Sequence, residues 1–293
     1  MKLTEIAAPD FDLEMTLDSG QVFHWDKIDN GFIGTIGDQP AYVEQRGNLL
    51  FVSRGSQDLV RKYFALDHSL AEICASFPDD PVMNAARSFC RGLRIIRQPK
   101  WDCLATFICS SMKQLAHIRQ ISRRVRERFG LARKIDNHLV YRFPAARRIA
   151  ESSEKELREC ALGYRAKNLL ATARLVANGD VDLEKMAELS DVDLWGMLCE
   201  LPGVGAKVAN CVMLFAYERL RAFPVDVWIE RVLRENYFSG PRKLNAGRLR
   251  TFTQEYFGDH GGYAQQYLFH YARKSSRQSG EFRQRRDLSP PRG

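Results

Sequence analysis

The sequence predicts an α+β fold, in which an N-terminal antiparallel sheet is followed by a mostly α-helical remainder. Before Ser56, short aromatic and β-branched runs alternate with turn-forming residues. After Ser56, apolar residues recur three and four positions apart, which is typical of amphipathic helices. We therefore expect a sheet subdomain with flanking helices over residues 1–98, a helical domain over 99–278 and a tail over 279–293.

Four short runs are the candidate strands of the sheet. They are Gln21–Trp25, Phe32–Ile36, Ala41–Glu44 and Leu49–Val52. The residues between them, Asp29-Asn30-Gly31, Gly37-Asp38 and Arg46-Gly47-Asn48, are good turn formers. Consecutive short strands joined by tight turns predict antiparallel pairing.

Two helices are expected between the breaks at Pro99 and Pro144. The first carries Cys103, Phe107 and Ser111 on one face. The second has an apolar stripe and ends at Gly130; the stripe consists of Ile118, Ile121, Val125 and Phe129.

The last third of the chain has the clearest helix boundaries. Ser190 with Asp193 predicts a capped start for a helix over Asp191–Glu200, and the Leu201–Gly205 segment ends it. The predicted helices that follow are Ala206–Glu218, Val227–Tyr237 with Asp226 as N-cap, and Tyr263–Arg277. Ser279–Gly293 is basic and rich in proline and glycine at its end, which predicts a disordered tail.

Composition narrows the class of protein. The 293 residues are 45% hydrophobic and 27% charged, which excludes wholesale disorder, and the net charge of +8 favours a polyanionic partner. The seven cysteines are spread without Cys-x-x-Cys spacing, which predicts reduced thiols and no cysteine-bound metal. The N-terminus lacks a signal-peptide pattern, and no apolar stretch is long enough to span a membrane. We expect an intracellular protein of the cytoplasm and nucleoid, or of the nucleus in a eukaryote.

The turn between the first two helices of the last third has the features of a DNA backbone anchor. Gly203 and Gly205 flank Val204 between two helices. Glycines there can adopt angles that other residues avoid and can bring N–H groups against a phosphate, toward which the next helix directs its positive end. The alternative is a tight helix–helix connection with a glycine cap, and these residues alone do not separate the two.

Lys207 and Asp226 favour a catalytic interpretation of the same segment. Cys211 shares a helix face with Lys207 because it lies four residues further on. A lysine beside an apolar stripe is usually a surface residue, and an aspartate before a helix is usually a plain cap. The catalytic alternative joins an amine nucleophile to a carboxylate that balances positive charge developing on a sugar.

With these residues, the sequence resembles the 8-oxoguanine DNA glycosylase/lyases, the Ogg branch of the helix–hairpin–helix GPD superfamily. The resemblance covers roughly residues 12–275, in six blocks that follow the family's order. The blocks are SGQVFHW at 19–25, YFALD at 63–67, FICSS at 107–111, LGYRA at 162–166, the hairpin with Lys207 through Asp226, and YAQQYLF at 263–269. The resemblance implies a helix–hairpin–helix glycosylase core in the helical domain.

The resemblance also implies roles in catalysis and DNA binding. Lys207 would attack the sugar C1′ atom, with assistance from Asp226. Tyr164 and Arg165 match the wedge tyrosine and the arginine that meet the base left behind by flipping. The hairpin residues Gly203, Val204 and Gly205 would anchor the phosphate backbone.

Four further positions match the residues that read the flipped base. Gly20 would accept the N7 proton of the oxidised base through its carbonyl, and Gln265 would bond the base's pairing edge. Cys211 and Phe269 match the pair that stacks on the two faces of the base. Each also has a structural alternative: a turn for Gly20, core packing for Cys211 and Phe269, and a helix-surface amide for Gln265.

One part of the sequence departs from the family. After FICSS, the eukaryotic members typically carry an asparagine run and then an arginine, which bond the opposite cytosine. Here Met112-Lys113-Gln114 replaces the run and His117 stands in place of the arginine. A neutral imidazole lacks the bidentate fork of arginine. We expect His117 to contact DNA with weak discrimination of the opposite base.

The expected function is a bifunctional 8-oxoguanine DNA glycosylase/lyase of base excision repair. Its partner would be double-stranded DNA that contains oxidised guanine, and we expect a monomer with no obligatory metal or organic cofactor. The sequence leaves open whether a cation bridges the hairpin carbonyls to a phosphate. Two alternatives stay open: a glycosylase for another damaged purine, and a non-catalytic helix–hairpin–helix DNA-binding protein.

Overall fold

The computed structural model describes residues 2–110, 114–238 and 245–287, and it has the α+β architecture that the sequence predicts. A five-stranded antiparallel sheet has the strand order β1-β5-β4-β3-β2. Its strands are β1 (Leu3–Ala7), β2 (Asp26–Ile28), β3 (Gly31–Ile36), β4 (Gln39–Arg46) and β5 (Leu49–Ser53).

Three of the four predicted strands are confirmed, and Gln21–Trp25 is not a strand. The buried side chain of Gln21 bonds the backbone of Arg94 and Ile96 instead, so this run is held by side-chain contacts rather than by a strand partner. The first strand was not predicted, because Leu3–Ala7 pairs with β5, far along the chain, and no turn signal links the two.

Helices make up most of the chain after β5. They are α1 (Leu13–Asp18), α2 (Gln57–Tyr63), α3 (Leu70–Ala75), α4 (Pro81–Phe89), α5 (Lys100–Ser110), α6 (Leu115–Phe129), α7 (Ala146–Ala150), α8 (Glu154–Leu157), α9 (Arg165–Asn178), α10 (Asp191–Glu200), α11 (Ala206–Ala216), α12 (Val227–Tyr237), α13 (Ala246–Tyr256) and α14 (Gly261–Asp287). A short hairpin, β6 (Ala132–Ile135) and β7 (His138–Tyr141), follows α6.

The predicted boundaries of α10 and α12 are confirmed, and two others need correction. The helix that was expected to reach Glu218 ends at Ala216, because Glu218 has a φ of 56° that no helix contains. The final helix extends to Asp287, so residues 279–287 are helical where a disordered tail was predicted. Their Glu, Gln and Arg residues are good helix formers. Residues 288–293 lie outside the described part of the chain.

The interior contains two main apolar clusters. One lies beneath the sheet and includes Leu50 and Val52 of β5 and Phe64, all fully buried. The other extends through the helices from α3 to α14, and it includes Leu70 of α3 and Met83 of α4. Helices α3 and α4 therefore pack with the helical core although they precede residue 98. Within the described residues, no helix is long and apolar enough to cross a membrane.

Candidate active site

The turn between α10 and α11 has some of the geometry that was predicted for an anchor of the DNA backbone. Gly203 has a φ of 84°, and a side chain there would also collide with Asn168. Gly205 has an extended backbone and is exposed, and a Cβ on it would meet nothing within 4 Å. Glycine at this position therefore leaves open space beside the backbone and does not provide an unusual backbone angle. The N–H groups of the first turn of α11 have no acceptor in the helix and can bind an anion.

Val204 was predicted to help anchor the phosphate backbone, and its structure does not favour that role. Its N–H donates to the Leu201 carbonyl at 3.0 Å, and its side chain is buried. That N–H is therefore engaged within the turn. The phosphate-binding prediction is better carried by Gly205 and the residues that follow it.

Lys207 lies in the first turn of α11 and is partly exposed. Its ammonium lies 5.0 Å from the centre of the Phe107 ring, and Cys211 is one turn further along the same helix. Burial raises the pKa of the Cys211 thiol, against the opposing charge of Lys207. Cys211 therefore stays a neutral thiol at pH 7.

Asp226 combines a structural and an electrostatic role. As the N-cap of α12, its Oδ1 accepts hydrogen bonds from the N–H groups of Trp228 at 3.0 Å and Ile229 at 2.9 Å, which confirms the predicted cap. Burial raises the pKa of the Asp226 carboxyl, whereas the Ile229 hydrogen bond and the Lys207 charge act to lower it. The carboxylate and the ammonium thus influence each other directly.

Phe107 on α5 links the lysine to the N-terminal segment. Its buried ring stacks on Phe215 of α11 with centres 5.5 Å apart, and it meets Phe23 edge-on at 6.3 Å. Buried aromatic pairs of this kind hold their partners in fixed positions. The sequence analysis assigned Phe107 no role of its own, although it lies in the FICSS block.

Gly20 lies against Phe269 in a conformation that favours glycine. Its φ is 89°, and a Cβ built on it would lie 3.0 Å from Cε1 of Phe269. The carbonyls on either side, those of Ser19 and Gln21, accept hydrogen bonds from buried glutamine side chains. None of the described residues donates a hydrogen bond to the Gly20 carbonyl itself. The structure thus brings together Gly20 and Phe269, as the sequence predicts.

Gln265 occupies the same face of α14 as Phe269, four residues before it. The side chain is buried, and its Oε1 has no hydrogen-bond partner among the described residues. Leaving a buried acceptor unpaired costs about 1–3 kcal/mol, which a ligand's donor would recover. The helix-surface alternative for Gln265 is therefore wrong.

The predicted wedge has an exposed ring and a buried cation. Tyr164 is 55% exposed, whereas Arg165 is buried, and its guanidinium carbon lies 4.3 Å from the centre of the Tyr164 ring. Arg165 also donates to the Leu162 carbonyl at 3.3 Å. Tyr164 is thus exposed, whereas Arg165, which was expected to meet the base left behind, is buried against the Tyr164 ring.

His117 is exposed in the first turn of α6. Met112, the other residue behind the expectation of weak opposite-base discrimination, lies outside the described residues, as do Ser111 and Lys113. The structure therefore places His117 on the surface and leaves the rest of that expectation as a prediction.

Family comparisons cover both halves of this architecture. The family described as 8-oxoguanine DNA glycosylase, N-terminal domain, matches residues 4–104. The family described as HhH-GPD superfamily base excision DNA repair protein matches residues 105–254. The two matches adjoin, and together they include the sheet, the hairpin, Lys207 and Asp226.

Individual relatives agree with the family matches. The N-glycosylase/DNA lyase OGG1 of Arabidopsis thaliana is 31% identical over 279 residues, which is 88% of this chain and 76% of the relative. A solved structure of the Clostridium acetobutylicum 8-oxoguanine glycosylase/lyase, in complex with double-stranded DNA containing cytosine opposite 8-oxoguanine, is 30% identical. It has a TM-score of 0.86 and aligns over 94% of this chain and 99% of its own. A 3-methyladenine DNA glycosylase from Archaeoglobus fulgidus, 18% identical with a TM-score of 0.76, shares the fold.

Proposed function

We propose a function from the premise that this chain belongs to the 8-oxoguanine DNA glycosylase family of HhH-GPD base excision repair proteins. The protein excises 8-oxoguanine from double-stranded DNA and cleaves the strand at the resulting abasic site. The observation that carries the proposal is the group formed by Lys207, Cys211 and Asp226 at the end of the hairpin. Phosphate anchoring alone requires neither the lysine nor the carboxylate.

Lys207 is the nucleophile in this proposal. A base inside a duplex is out of reach, so it must be flipped into a pocket at a cost of a few kcal/mol. In its neutral amine form, the lysine nitrogen then forms a bond to C1′ while the glycosidic bond breaks. The bonding electron pair leaves with the base, which takes up the proton that the lysine nitrogen loses. Asp226 stabilises the positive charge that develops on the sugar.

The same lysine accounts for strand cleavage. Ring opening of the sugar converts the amine adduct to a Schiff base, which acidifies the C2′ proton. When that proton passes to solvent, its bonding electrons form a C2′=C3′ double bond, the C3′–O bond breaks and the 3′-phosphate leaves. Water then hydrolyses the Schiff base and regenerates Lys207. No step of this sequence calls on a metal or an organic cofactor.

Recognition of the damaged base is proposed to rest on Gly20, Gln265, Cys211 and Phe269. Guanine has a lone pair at N7, whereas 8-oxoguanine has an N–H there. The Gly20 carbonyl, with no donor of its own among the described residues, would accept that proton, and the unpaired Gln265 Oε1 would bond the pairing edge. Opposing a carbonyl to the lone pair of guanine costs about 1–3 kcal/mol.

Gly20→Ala is expected to slow excision of 8-oxoguanine about tenfold or more. The added methyl group both strains a backbone with a φ of 89° and presses on Phe269. The matched control is Gly55→Ala, because Gly55 has a φ of 88° with nothing within 4 Å. Single-turnover excision measures the effect. Equal rates for the two variants would contradict the role of Gly20.

A weak preference for cytosine opposite the lesion is the expected consequence of His117. His117→Arg should increase that preference about tenfold, because a good bidentate contact is worth about 1–3 kcal/mol of discrimination. His138→Arg controls for the added charge, since His138 is an exposed histidine on β7. The measurement is single-turnover excision across all four opposite bases. A strong cytosine preference that survives His117→Ala would refute the prediction.

The two alternatives differ in their products. Duplexes that contain 8-oxoguanine, an alkylated adenine or only undamaged bases are incubated with the protein, and strand cleavage is measured with and without hot alkali. We expect excision and cleavage of the 8-oxoguanine strand alone. Excision of the alkylated base instead would support the other glycosylase, and binding without excision would support the non-catalytic protein.

The proposal extends to location and domains. An intracellular site of action beside DNA is supported by the seven free cysteines, none of which forms a disulfide in the described structure. The division at residue 98 and the DNA contacts of Tyr164 and Gly205 are part of the same proposal. Arg165, which is buried against the Tyr164 ring, would support that ring. The exposure of Tyr164 and the open space at Gly205 support it.

A further inference from the structure

The segment that leads into Gly20 is held by the helix that carries the base-binding residues. Gln266 of α14 donates from its buried Nε2 to the Ser19 carbonyl at 2.8 Å. One residue earlier, the Asp18 carbonyl accepts a hydrogen bond from Arg273 of the same helix. Gln266 and Arg273 are seven residues apart and therefore lie on one face of α14, two turns from each other.

The second of these contacts, between Arg273 and the Asp18 carbonyl, is held in place by charged and polar neighbours. Hydrogen bonding to Lys274 and the charges of Arg273 and Lys274 lower the pKa of Asp18 to about 2, although burial opposes the shift. Burial and Arg273 lower the pKa of His270 to about 4, so its ring is neutral at pH 7. Its Nδ1 can then accept from Arg273 at 3.1 Å. The Arg273 guanidinium is thus held in place beside the Asp18 carbonyl.

The residue after Gly20 is held from the opposite direction. The buried Gln21 side chain forms hydrogen bonds with the backbone of Arg94 and Ile96. The backbone carbonyl of Gln21 accepts a hydrogen bond from the Gln98 side chain. Glycine is the residue with the greatest backbone freedom, so the direction of its carbonyl is defined only if the chain is held on both sides of it. Residues 94–98 hold Gln21 on one side, and α14 holds the Ser19–Gly20 peptide on the other.

We propose that Gln266 is a positioning residue, which holds the Ser19–Gly20 peptide so that the next carbonyl, that of Gly20, is directed at the N7–H of the damaged base. The inference rests on the proposed function, and it adds a residue that contacts no base. Because α14 also carries Gln265 and Phe269, a single helix sets the spacing between the stacking ring, the edge-reading amide and the carbonyl that reads N7–H.

The variant that tests this is Gln266→Met, which keeps the length of the side chain and removes the donor. Its matched control is Tyr267→Phe, which removes another buried hydrogen bond from α14 to a backbone carbonyl, that of Leu93 at 3.0 Å. Both variants should lower Tm. Only Gln266→Met should alter the reading of N7–H.

The readout is binding to two duplexes whose target sugar carries 2′-fluorine, which disfavours the cationic sugar and blocks excision. One contains 8-oxoguanine, and the other its 7-deaza analogue with C–H in place of N7–H. We expect the analogue to bind wild-type protein about tenfold more weakly, and this ratio to fall to about 1–3 in Gln266→Met. The fall should come from weaker binding of 8-oxoguanine, with the analogue's Kd unchanged. Tyr267→Phe should keep the wild-type ratio.

The outcomes separate this inference from the proposed function. A wild-type ratio retained in Gln266→Met, or a ratio of 1 in the wild type, would overturn the positioning role even if ordinary 8-oxoguanine is excised. Failure of the wild type to excise 8-oxoguanine at all would overturn the proposed function. If Gln266→Met does not fold, Gln266→Asn provides the same comparison, because its shorter amide does not reach the Ser19 carbonyl.

Discussion

Lys207→Gln is expected to abolish excision of 8-oxoguanine and strand cleavage together, with a rate loss on the order of 10⁴-fold or more. The substitution removes the only atom that the mechanism uses to attack C1′, and glutamine keeps much of the side chain's length. Binding of 8-oxoguanine duplexes should persist, because the hairpin, Gly20, Gln265 and Phe269 are unchanged. Single-turnover gels and fluorescence anisotropy on the same protein measure the two effects.

Lys100→Gln is the matched control for that experiment. Lys100 also lies over an aromatic ring, that of Tyr217 at 5.7 Å, but it pairs with Glu184 and lies outside the group around Cys211. We expect this variant to excise 8-oxoguanine at the wild-type rate. If Lys207→Gln kept excision but lost cleavage, water rather than Lys207 would be the nucleophile for base release, and the mechanism above would be wrong.

Asp226→Asn is expected to slow base release by about 10²–10³-fold with little loss of stability. Asparagine caps a helix about as well as aspartate, so α12 should lose only the charge–dipole contribution, about 0.3–1 kcal/mol. Asp226→Ala loses the cap as well and should lower stability further. Comparing Tm with the single-turnover rate across the two variants separates the cap from the catalytic charge.

The raised pKa of Asp226 adds a pH dependence to the same prediction. Activity requires the carboxylate form, and burial makes that form less favourable. As pH falls, wild-type excision should therefore decline at a higher pH than an ordinary aspartate would cause, and Asp226→Asn should lack this decline. Asp80→Asn, at the N-cap of α4, is the control, and it should leave both rate and pH profile unchanged. An identical acid decline in Asp226→Asn would assign the titration to another group.

The hairpin segment was predictable because its determinants are local. Ser190 caps α10 through the Asp193 N–H at 3.2 Å, and Asp226 caps α12, so the boundaries depend on residues within one turn of each helix end. The lysine and the aspartate lie in this same segment. Their positions in the first turn of α11 and at the N-cap of α12 therefore follow from local signals.

The N-terminal segment was harder to predict because its contacts are distant in sequence. Gln21–Trp25 alternates like a strand, but its structure is set by Arg94 and Ile96, more than 70 residues away. The β6–β7 hairpin was not predicted, although it has a local signal, an Asp-Asn turn in which Asp136 has a φ of 52°.

The residues proposed to bind the base also divide into those predictable from local sequence and those set by distant contacts. Gln265 and Phe269 could be paired from their spacing on one helix, whereas the contact of Phe269 with Gly20 joins the two ends of the chain. Gln266 was not identified, because its partner, Ser19, is 247 residues away. The local sequence shows only that a second glutamine follows Gln265 directly.

Borohydride trapping tests the central claim most directly. The protein is incubated with a duplex that contains 8-oxoguanine opposite cytosine in the presence of borohydride, which reduces a Schiff base to a stable amine, and the crosslinked peptide is identified by mass spectrometry. We predict one covalent adduct, on the peptide that contains Lys207, and none with an undamaged duplex. An adduct on another lysine, or excision of 8-oxoguanine with no adduct at all, would contradict this account.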